Sequence, residues 1–481
     1  MSAWVGIDLG TQSVRAMAVD PEGRVLGAAV RPLTSRRDGV RHEQDPEEWW
    51  EALAAAAQEA LREVPAGRIE GVAVDATSGT ILLTAPDGTP LTPALMYDDR
   101  RAAELVDRVN TVGGPVWERL GYRRMQANWA LPKLLWLLRD TPAGVRAAHQ
   151  SDFINRRLTG REVATDLSNA LKTGVDLIEE RWPSDVLSEL GVPAEALPSV
   201  VRPGTRIGTV CAAAARETGI PQGTPVIAGT TDGCAAQLGA GALTPGSWNS
   251  VLGTTLVLKG VTRELVHDPL GVVYSHRAPD GSWLPGGASS TGAGVLSRDL
   301  PGRDLDALSA AATARYGAKK DDTLPTTYPL VSRGERFPFA APDAEAFTLG
   351  KPADDVERYV AILRGAAFVE RLCFDYLDLL GAPVDGEIVL TGGATRSAYW
   401  NRLRADVLGR PVTLRENAEP ALGMAVLAAG NASAGMIRTR EIVEPSGAGL
   451  REPYLRFVAA LEERGWLPGP AAAHARERSD R

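Results

Sequence analysis

Cysteine is nearly missing from this chain, with 3 in 481 residues, at Cys211, Cys234 and Cys373. So sparse and odd a set excludes a disulfide framework, and no pair has metal-ligand spacing. The 5 histidines are scattered too, so any metal is expected on oxygen ligands. Positive charge is in deficit, with 52 Lys and Arg against 60 Asp and Glu and a net charge of −8. That excludes the clustered basic footprint a nucleic-acid partner requires. Arg far outnumbers Lys, which reads as genome composition and not as function. No apolar run approaches the roughly 18 to 20 residues that cross a bilayer, so no membrane partner is expected. The opening Met-Ser-Ala-Trp-Val-Gly-Ile-Asp string enters a strand pattern at once, without the regions of a signal peptide. Together these absences predict a reduced, cytoplasmic protein. What is present is 44% hydrophobic and 23% charged, the profile of a globular chain. The length suffices for two or more domains with cores of their own.

Apolar runs at Val5–Leu9 and Val14–Val19, the Pro21-Glu22-Gly23 turn and the run Val25–Val30 predict a β-hairpin and its extension. Asp45 reads as an N-cap, Pro46 as the first helical residue and Glu48 as a capping-box partner, opening an Ala-rich helix to Val64. Ile69–Ala76 reads as a strand, and Ile81–Ala85 pairs with Leu91 through the Asp87-Gly88 turn. A helical pattern covers Pro132 to Leu158, and Pro221–Ala228 is strand-like. The small, Gly-rich stretch Gly239–Gly246 is expected to be a domain boundary and a hinge. After it the opening pattern returns. Ser247–Leu252 and Thr255–Gly260 form a second hairpin, followed by a helix at Asp354–Leu380, a strand at Glu387–Leu390 and helices at Tyr399–Leu408 and Ala421–Ala429. The Arg-rich tail after Pro468 is expected to fray. Leu9-Gly10-Thr11-Gln12 and Leu252-Gly253-Thr254-Thr255 thus stand between strands at the start of each half. Two copies of one βββαβα unit would explain this; chance recurrence in a Gly-rich chain is the alternative.

Several strand ends carry groups suited to phosphate and sugar chemistry. In Gly6-Ile7-Asp8-Leu9-Gly10-Thr11-Gln12-Ser13 a tight turn exposes backbone N–H groups as an anion nest, Thr11 and Ser13 add hydroxyls, and Asp8 suits hydrated Mg²⁺. An ordinary hairpin with a capping Asp would read alike. Ala228-Gly229-Thr230-Thr231-Asp232-Gly233 ends a strand on one carboxylate among small residues. Such a carboxylate can orient an attacking hydroxyl and take its proton, and it can equally cap a helix. Leu390-Thr391-Gly392-Gly393-Ala394-Thr395-Arg396-Ser397 runs from a strand through a Gly-Gly turn that lets phosphate or a flat base approach the backbone. Asp75-Ala76-Thr77-Ser78-Gly79-Thr80, Tyr97-Asp98-Asp99-Arg100-Arg101 and Asn169-Ala170-Leu171-Lys172 are polar clusters able to read sugar hydroxyls, or plain solvated loops. Cys234 has no neighbouring His in the sequence and is expected to be a buried structural thiol.

Taken in order from Gly6 to about Ala429, these motifs resemble the FGGY carbohydrate kinases, relatives of actin, hexokinase and the heat-shock ATPases. Gly6–Thr11 resembles the first phosphate motif, Ser250–Thr255 the second, Tyr328–Arg336 the signature near the adenine and Leu390–Trp400 the adenosine motif. The resemblance implies an α/β fold of two actin/hexokinase-like (ribonuclease H-like) domains facing a central cleft. It places an N-terminal domain at 1–242, a C-terminal domain at 243–450 and an extension at 451–481. It implies ATP and Mg²⁺ as cofactors, a small sugar as partner and room for a homodimer. By the same likeness Asp232 is the catalytic base, and Asp8 and Asp232 are metal ligands. Asp8, Gln12, Ser13, Val14, Arg15, Asp75, Asp98, Lys172 and Asp232 contact the sugar. Gly10, Thr11, Gly253, Thr254, Thr255, Gly287, Gly392, Gly393, Ala394, Thr395 and Arg396 contact ATP.

Within the family the strings Asp75–Thr80, Asn169–Lys172, Gly229–Asp232, Val273-Tyr274-Ser275-His276 and Ser332–Pro338 are most similar to the D-ribulose kinase branch. The expected reaction is phosphorylation of the terminal hydroxyl of D-ribulose, with D-xylulose or another pentulose or polyol as alternatives. Xylulose kinases usually carry Gln-Met-His-Gly where this chain has Thr77-Ser78-Gly79. Glycerol kinases carry an Arg-Glu pair there, and Asp98-Asp99 replaces an Asn-Asp. Gln12 departs from a commoner Ser. A non-catalytic sugar sensor of the same superfamily is a further alternative; no basic helix-turn-helix precedes Val5 to favour it.

Overall fold

The computed structural model describes residues 2–141, 143–317, 323–447 and 449–480. The chain divides into two compact units. The first holds the residues up to Gly241 with His276–Leu284 and Asn417–Arg438; the second holds Ala242–Ser275, Pro285–Glu416 and the residues from Thr439 on. Close backbone contact explains why Asn417–Arg438 belongs to the first unit, which a linear cut after residue 242 does not anticipate. A Cβ on Gly6 would stand 1.8 Å from the Ala421 carbonyl oxygen, and one on Gly423 would stand 2.0 Å from that of Ala235. The helix Pro420–Ala429 therefore lies directly on the strand Ala3–Leu9 and the helix Asp232–Ala240.

The first unit is built on a six-stranded sheet in the order Arg206–Thr209, Pro225–Ile227, Ile69–Ala76, Ala3–Leu9, Ser13–Val19, Val25–Pro32. Ala3–Leu9 pairs antiparallel with Ser13–Val19 and parallel with Ile69–Ala76. The helix Pro46–Ala60 buries Trp49, Leu53, Ala56 and Ala57, each large apolar side chain contributing about 1.5–3 kcal/mol. Asp45 caps it as expected, accepting from the Glu47 N–H at 3.0 Å. The expected capping box is absent, because Glu48 instead accepts from the Thr34 N–H at 2.9 Å and hydroxyl at 2.6 Å.

The helix expected over Pro132–Leu158 is broken into the helix Ala130–Leu138, the strand Arg146–His149 and the helix Gln150–Thr159. The first helix ends at Leu138, with Arg139 as its cap, and Gly144 at φ +86° lies in the connection to the strand. Arg146–His149 then pairs antiparallel with Ile81–Thr84, a tertiary partner that outweighs the local pattern. The Asp87-Gly88 turn forms, with the Leu91 N–H donating to the Leu83 carbonyl at 2.8 Å.

The second unit is built on the strands Leu256–Gly260, Trp248–Leu252, Ile388–Thr391, Val412–Arg415 and Thr439–Val443, side by side in that order. Here Trp248–Leu252 pairs antiparallel with Leu256–Gly260 and parallel with Ile388–Thr391. This is the local plan of the first unit, so the repeated Leu-Gly-Thr string marks a repeated structure and not a chance recurrence. The helix Asp355–Leu379, capped by Asp354, buries nearly every residue from Tyr359 to Leu377. The tail does not fray as expected. Gly469–Asp480 is a helix whose Ala471, Ala472 and Ala475 are buried in the core, while His474 bonds Asp378 at 2.8 Å. Among the described residues no helix is long and apolar enough to cross a membrane.

Candidate active site

In the first unit the sheet register sets Asp8 directly beside Asp75 and opposite Arg15. Ala76 is bridged to Thr231 one strand further on, which brings Asp232 to the same strand ends. Asp232 is the first residue of the helix Asp232–Ala240, and the N-cap position belongs to Thr231. The alternative reading of Asp232 as a plain N-cap therefore falls. Its Oδ1 accepts from the Gly233 N–H at 2.7 Å.

Two of these carboxyls are shifted upward. Burial, with the charge of Asp232, pushes Asp8 up to about 6, against a hydrogen bond with Asp75 that lowers it. Asp75 is fully buried, and burial plus the Asp8 and Asp232 charges push it well above the usual carboxylate range. Neither Asp75 carboxylate oxygen has a hydrogen-bond partner of standard geometry. Arg15, which faces Asp8 across the register, is held at 2.9 Å by Glu419. Glu419 was not expected here. It arrives with the helix Pro420–Ala429, and nothing local in its sequence announces it.

The sugar-side clusters are tied down to different degrees. Asp98 stays partly exposed; burial pushes its carboxyl up, but bonds from His42 and from Arg37 at 2.9 Å hold it below the usual range. Asp99 is buried and used internally by the His42 N–H at 2.7 Å and by Arg101. Lys172 donates to the Ser78 carbonyl at 3.2 Å, beside the Thr77–Thr80 turn that Gln150 holds. Asn169 is spent on Asp166 at 2.7 Å. Lys133 is buried, donates to the Met96 carbonyl at 2.7 Å, and is held down to about 7 by burial. Val14 corrects the expected set, since its side chain lies wholly in the apolar core and its neighbours Ser13 and Arg15 take the other face.

Each Gly-Thr turn is closed by a bond from its own glycine, the first spanning three residues and the second two. The Gly10 N–H donates to the Ser13 carbonyl at 3.1 Å, and the Gly253 N–H donates to the Thr255 carbonyl at 3.1 Å. In the first unit Gln12 is exposed, while the Thr11 carbonyl accepts from Gln44 at 2.7 Å, itself fixed by Trp49 at 2.7 Å. In the second unit the Gly253 and Thr254 carbonyls accept from the Ala293 and Gly294 N–H groups at 2.9 and 3.1 Å. Gly392, at φ +84°, brings its turn within 2.6 Å of the Leu252 carbonyl oxygen, measured from where a Cβ would be. That position requires glycine and sets Gly392–Arg396 beside the second hairpin. Gly393 and Arg396 are exposed, Thr395 bonds the Gly392 carbonyl at 2.8 Å and Ala394 is buried. Gly287 has its own structural reason: a Cβ would lie 2.6 Å from the Phe337 ring. Glu335 stands within the Tyr328–Arg336 string but was given no role of its own in the sequence. It is buried and accepts from the Ser290 N–H at 2.6 Å, Tyr328 at 2.8 Å and Ser289 at 2.9 Å, anchoring the segment behind the second hairpin. Cys234 is buried, as expected.

The profile of the FGGY family of carbohydrate kinases, N-terminal domain, matches residues 3–239, and that of its C-terminal domain matches residues 248–432. A xylulose kinase of Streptomyces coelicolor is 32% identical over 445 residues, covering 89% of this chain and 87% of the relative. One of Streptomyces rubiginosus is 31% identical over 441 residues, with 89% and 87% covered. Among solved structures, a xylulose kinase from Rhodospirillum rubrum superposes with a TM-score of 0.83 at 25% identity, covering 96% of this chain and 99% of that one.

Proposed function

Because the chain belongs to the FGGY family of carbohydrate kinases, we propose that it transfers the γ-phosphoryl group of ATP to the terminal hydroxyl of a pentulose, with D-xylulose the leading substrate. The observation that carries this is the strand-end set Asp8, Asp75 and Asp232 beside the Gly10–Gln12 turn, in a chain matched over most of its length by xylulose kinases. D-Ribulose, the substrate first expected from short strings, has less support. It remains the second reading because Thr77-Ser78-Gly79 stands where xylulose kinases carry a His-containing string, and Thr77 there is bonded to Thr80 and Gln150.

Asp232 orients the terminal hydroxyl and accepts its proton as the new O–P bond forms and the bond to ADP breaks. Such a base adds about 10²- to 10⁴-fold. The Gly10–Gln12 and Gly253–Thr255 turns supply N–H and hydroxyl donors to phosphate oxygens, and Gly392–Arg396 receives the adenosine. Asp98 and Lys172 read sugar hydroxyls. Mg²⁺ fits the first unit's site, since Asp8, Asp75 and Asp232 crowd the same strand ends and the buried Asp75 oxygens have no hydrogen-bond partner of standard geometry. Asp8 and Asp232 are the residues to hold it. Mg²⁺ keeps several waters and needs only one or two carboxylates. When bound it would neutralise phosphate charge.

The test is ADP release by the purified protein with D-xylulose, D-ribulose and glycerol. D-Xylulose should give the highest kcat/KM. A preference of more than tenfold for D-ribulose would install the second reading. Better turnover of glycerol, or none with any of the three, would remove both.

A further inference from the structure

We infer that Ser168 and His276 are positioning residues for Asp232. The inference rests on the proposed kinase reading, with Asp232 as its base. Thr231 occupies the N-cap of the helix that Asp232 begins, yet its side chain makes no capping bond to that helix. Its hydroxyl turns away instead, to the Ser168 hydroxyl at 3.1 Å, and its own N–H reaches the same oxygen at 3.4 Å. Ser168 Oγ is paired in turn with His276 Nδ1 at 2.8 Å. Ser168, Thr231 and His276 are all buried. A Thr at this place would ordinarily cap its helix. A broken local rule at a chemical site points to a demand of the site.

Both ends of the relay are braced. Ser168 belongs to the short helix Leu167–Ala170, whose first N–H groups are accepted by Asp166 at 2.9 Å each. His276 precedes Arg277, which bonds Glu180 at 3.3 Å and stacks over Trp283 at 4.1 Å. The residue before the base is thus held on one side by the Ala76 strand end and on the other by a buried hydroxyl–imidazole pair. A shift of about 1 Å in such a group costs up to roughly 10²-fold in rate.

The experiment compares Ser168→Ala, His276→Leu and His276→Asn with the parent protein and with Asp232→Asn. The assay uses ATP and whichever of D-xylulose and D-ribulose the parent phosphorylates faster. Ser168→Ala and His276→Leu should each lower kcat at least tenfold, with the KM for ATP within twofold of the parent. His276→Asn, which keeps a hydrogen-bonding atom near the Nδ1 position, should recover most of the loss. The Ser168→Ala/His276→Leu double variant should be no worse than Ser168→Ala alone, because His276 reaches Thr231 through the Ser168 hydroxyl. Should His276→Leu fail to fold, Ser168→Ala, which deletes a single oxygen, carries the test alone. A folded Ser168→Ala enzyme within twofold of the parent kcat overturns the inference. If Asp232→Asn also keeps its turnover, it is the base assignment itself that fails.

Discussion

Asp75 is the one fully buried carboxyl of the strand-end set Asp8, Asp75 and Asp232. Burial and two neighbouring carboxyls push it upward, and Asp8 beside it is pushed up to about 6. A carboxyl whose affinity for protons is higher folded than unfolded keeps its proton in the native state while the unfolded chain releases it. Its contribution to stability is complete below the unfolded value of about 4 and is lost as pH rises through the folded one. For Asp8, moved from 3.8 to about 6, the loss is roughly 3 kcal/mol by pH 8. Asp75→Asn removes the central repulsion, so without ligands its melting temperature should exceed the parent's at pH 8 and match it near pH 4. Calorimetry across that range decides; a lower melting temperature at pH 8 contradicts this account. The gain in stability should come with slower turnover, as expected where strain serves function. Asp8, Asp75 and Asp232 could be read from the sequence because each ends an apolar run among small residues. Glu419 and His276 could not, since only the packing of Pro420–Ala429 and of His276–Leu284 brings them in.

At the scale of elements, the second unit is joined at its centre by a buried triad. Arg404 of the helix Ala398–Leu408 bonds both carboxylate oxygens of Glu370 at 2.7 Å, and Ser250 of the hairpin strand bonds Arg404 at 2.8 Å and Glu370 at 2.6 Å. Arg404 and Glu370 are essentially without solvent exposure. Removing one partner of such a pair strands a buried charge, while replacing both by apolar residues is often neutral. Arg404→Met should cost about 3–5 kcal/mol in urea unfolding, and Glu370→Leu/Arg404→Met should recover most of it. Additive losses in the double variant would mean that the pair is not one unit. The triad was hidden in the sequence because its members are far apart and each is an ordinary helix or strand residue. The hairpins and the Asp45-capped helix were legible because turn and cap chemistry is local. The helix predicted across Pro132–Leu158 and the fraying predicted after Pro468 failed for a shared reason. Arg146–His149 becomes a strand by pairing with Ile81–Thr84, and a short Ala-containing helix is stable at the terminus because Ala471, Ala472 and Ala475 find a core to enter.

For the whole molecule, the expected boundary at Gly239–Gly246 is only the first place where the chain leaves one unit for the other. It crosses again after Ser275, Leu284, Glu416 and Arg438. The return of Asn417–Arg438 goes with close packing around Gly6 and Gly423, which a linear reading cannot count. The division of labour nonetheless has a consequence. The carboxylates at Asp8, Asp75 and Asp232 belong to the first unit, and Gly253–Thr255 and Gly392–Arg396 belong to the second. The proposed transfer needs both sets on one pair of substrates, and water must be kept from the γ-phosphoryl group until the sugar is present. Binding of sugar and nucleotide should then be coupled, each lowering the other's Kd by the same factor. ATP hydrolysis without sugar should be slow beside sugar phosphorylation. Calorimetric titrations of ADP and of D-xylulose, each with and without the other, measure the factor from both directions. A coupling of about 5-fold or more would fit a device in which each ligand favours the transfer-competent state. Equal affinities in all four titrations, together with brisk hydrolysis in the absence of sugar, would show that the two sets of residues work independently.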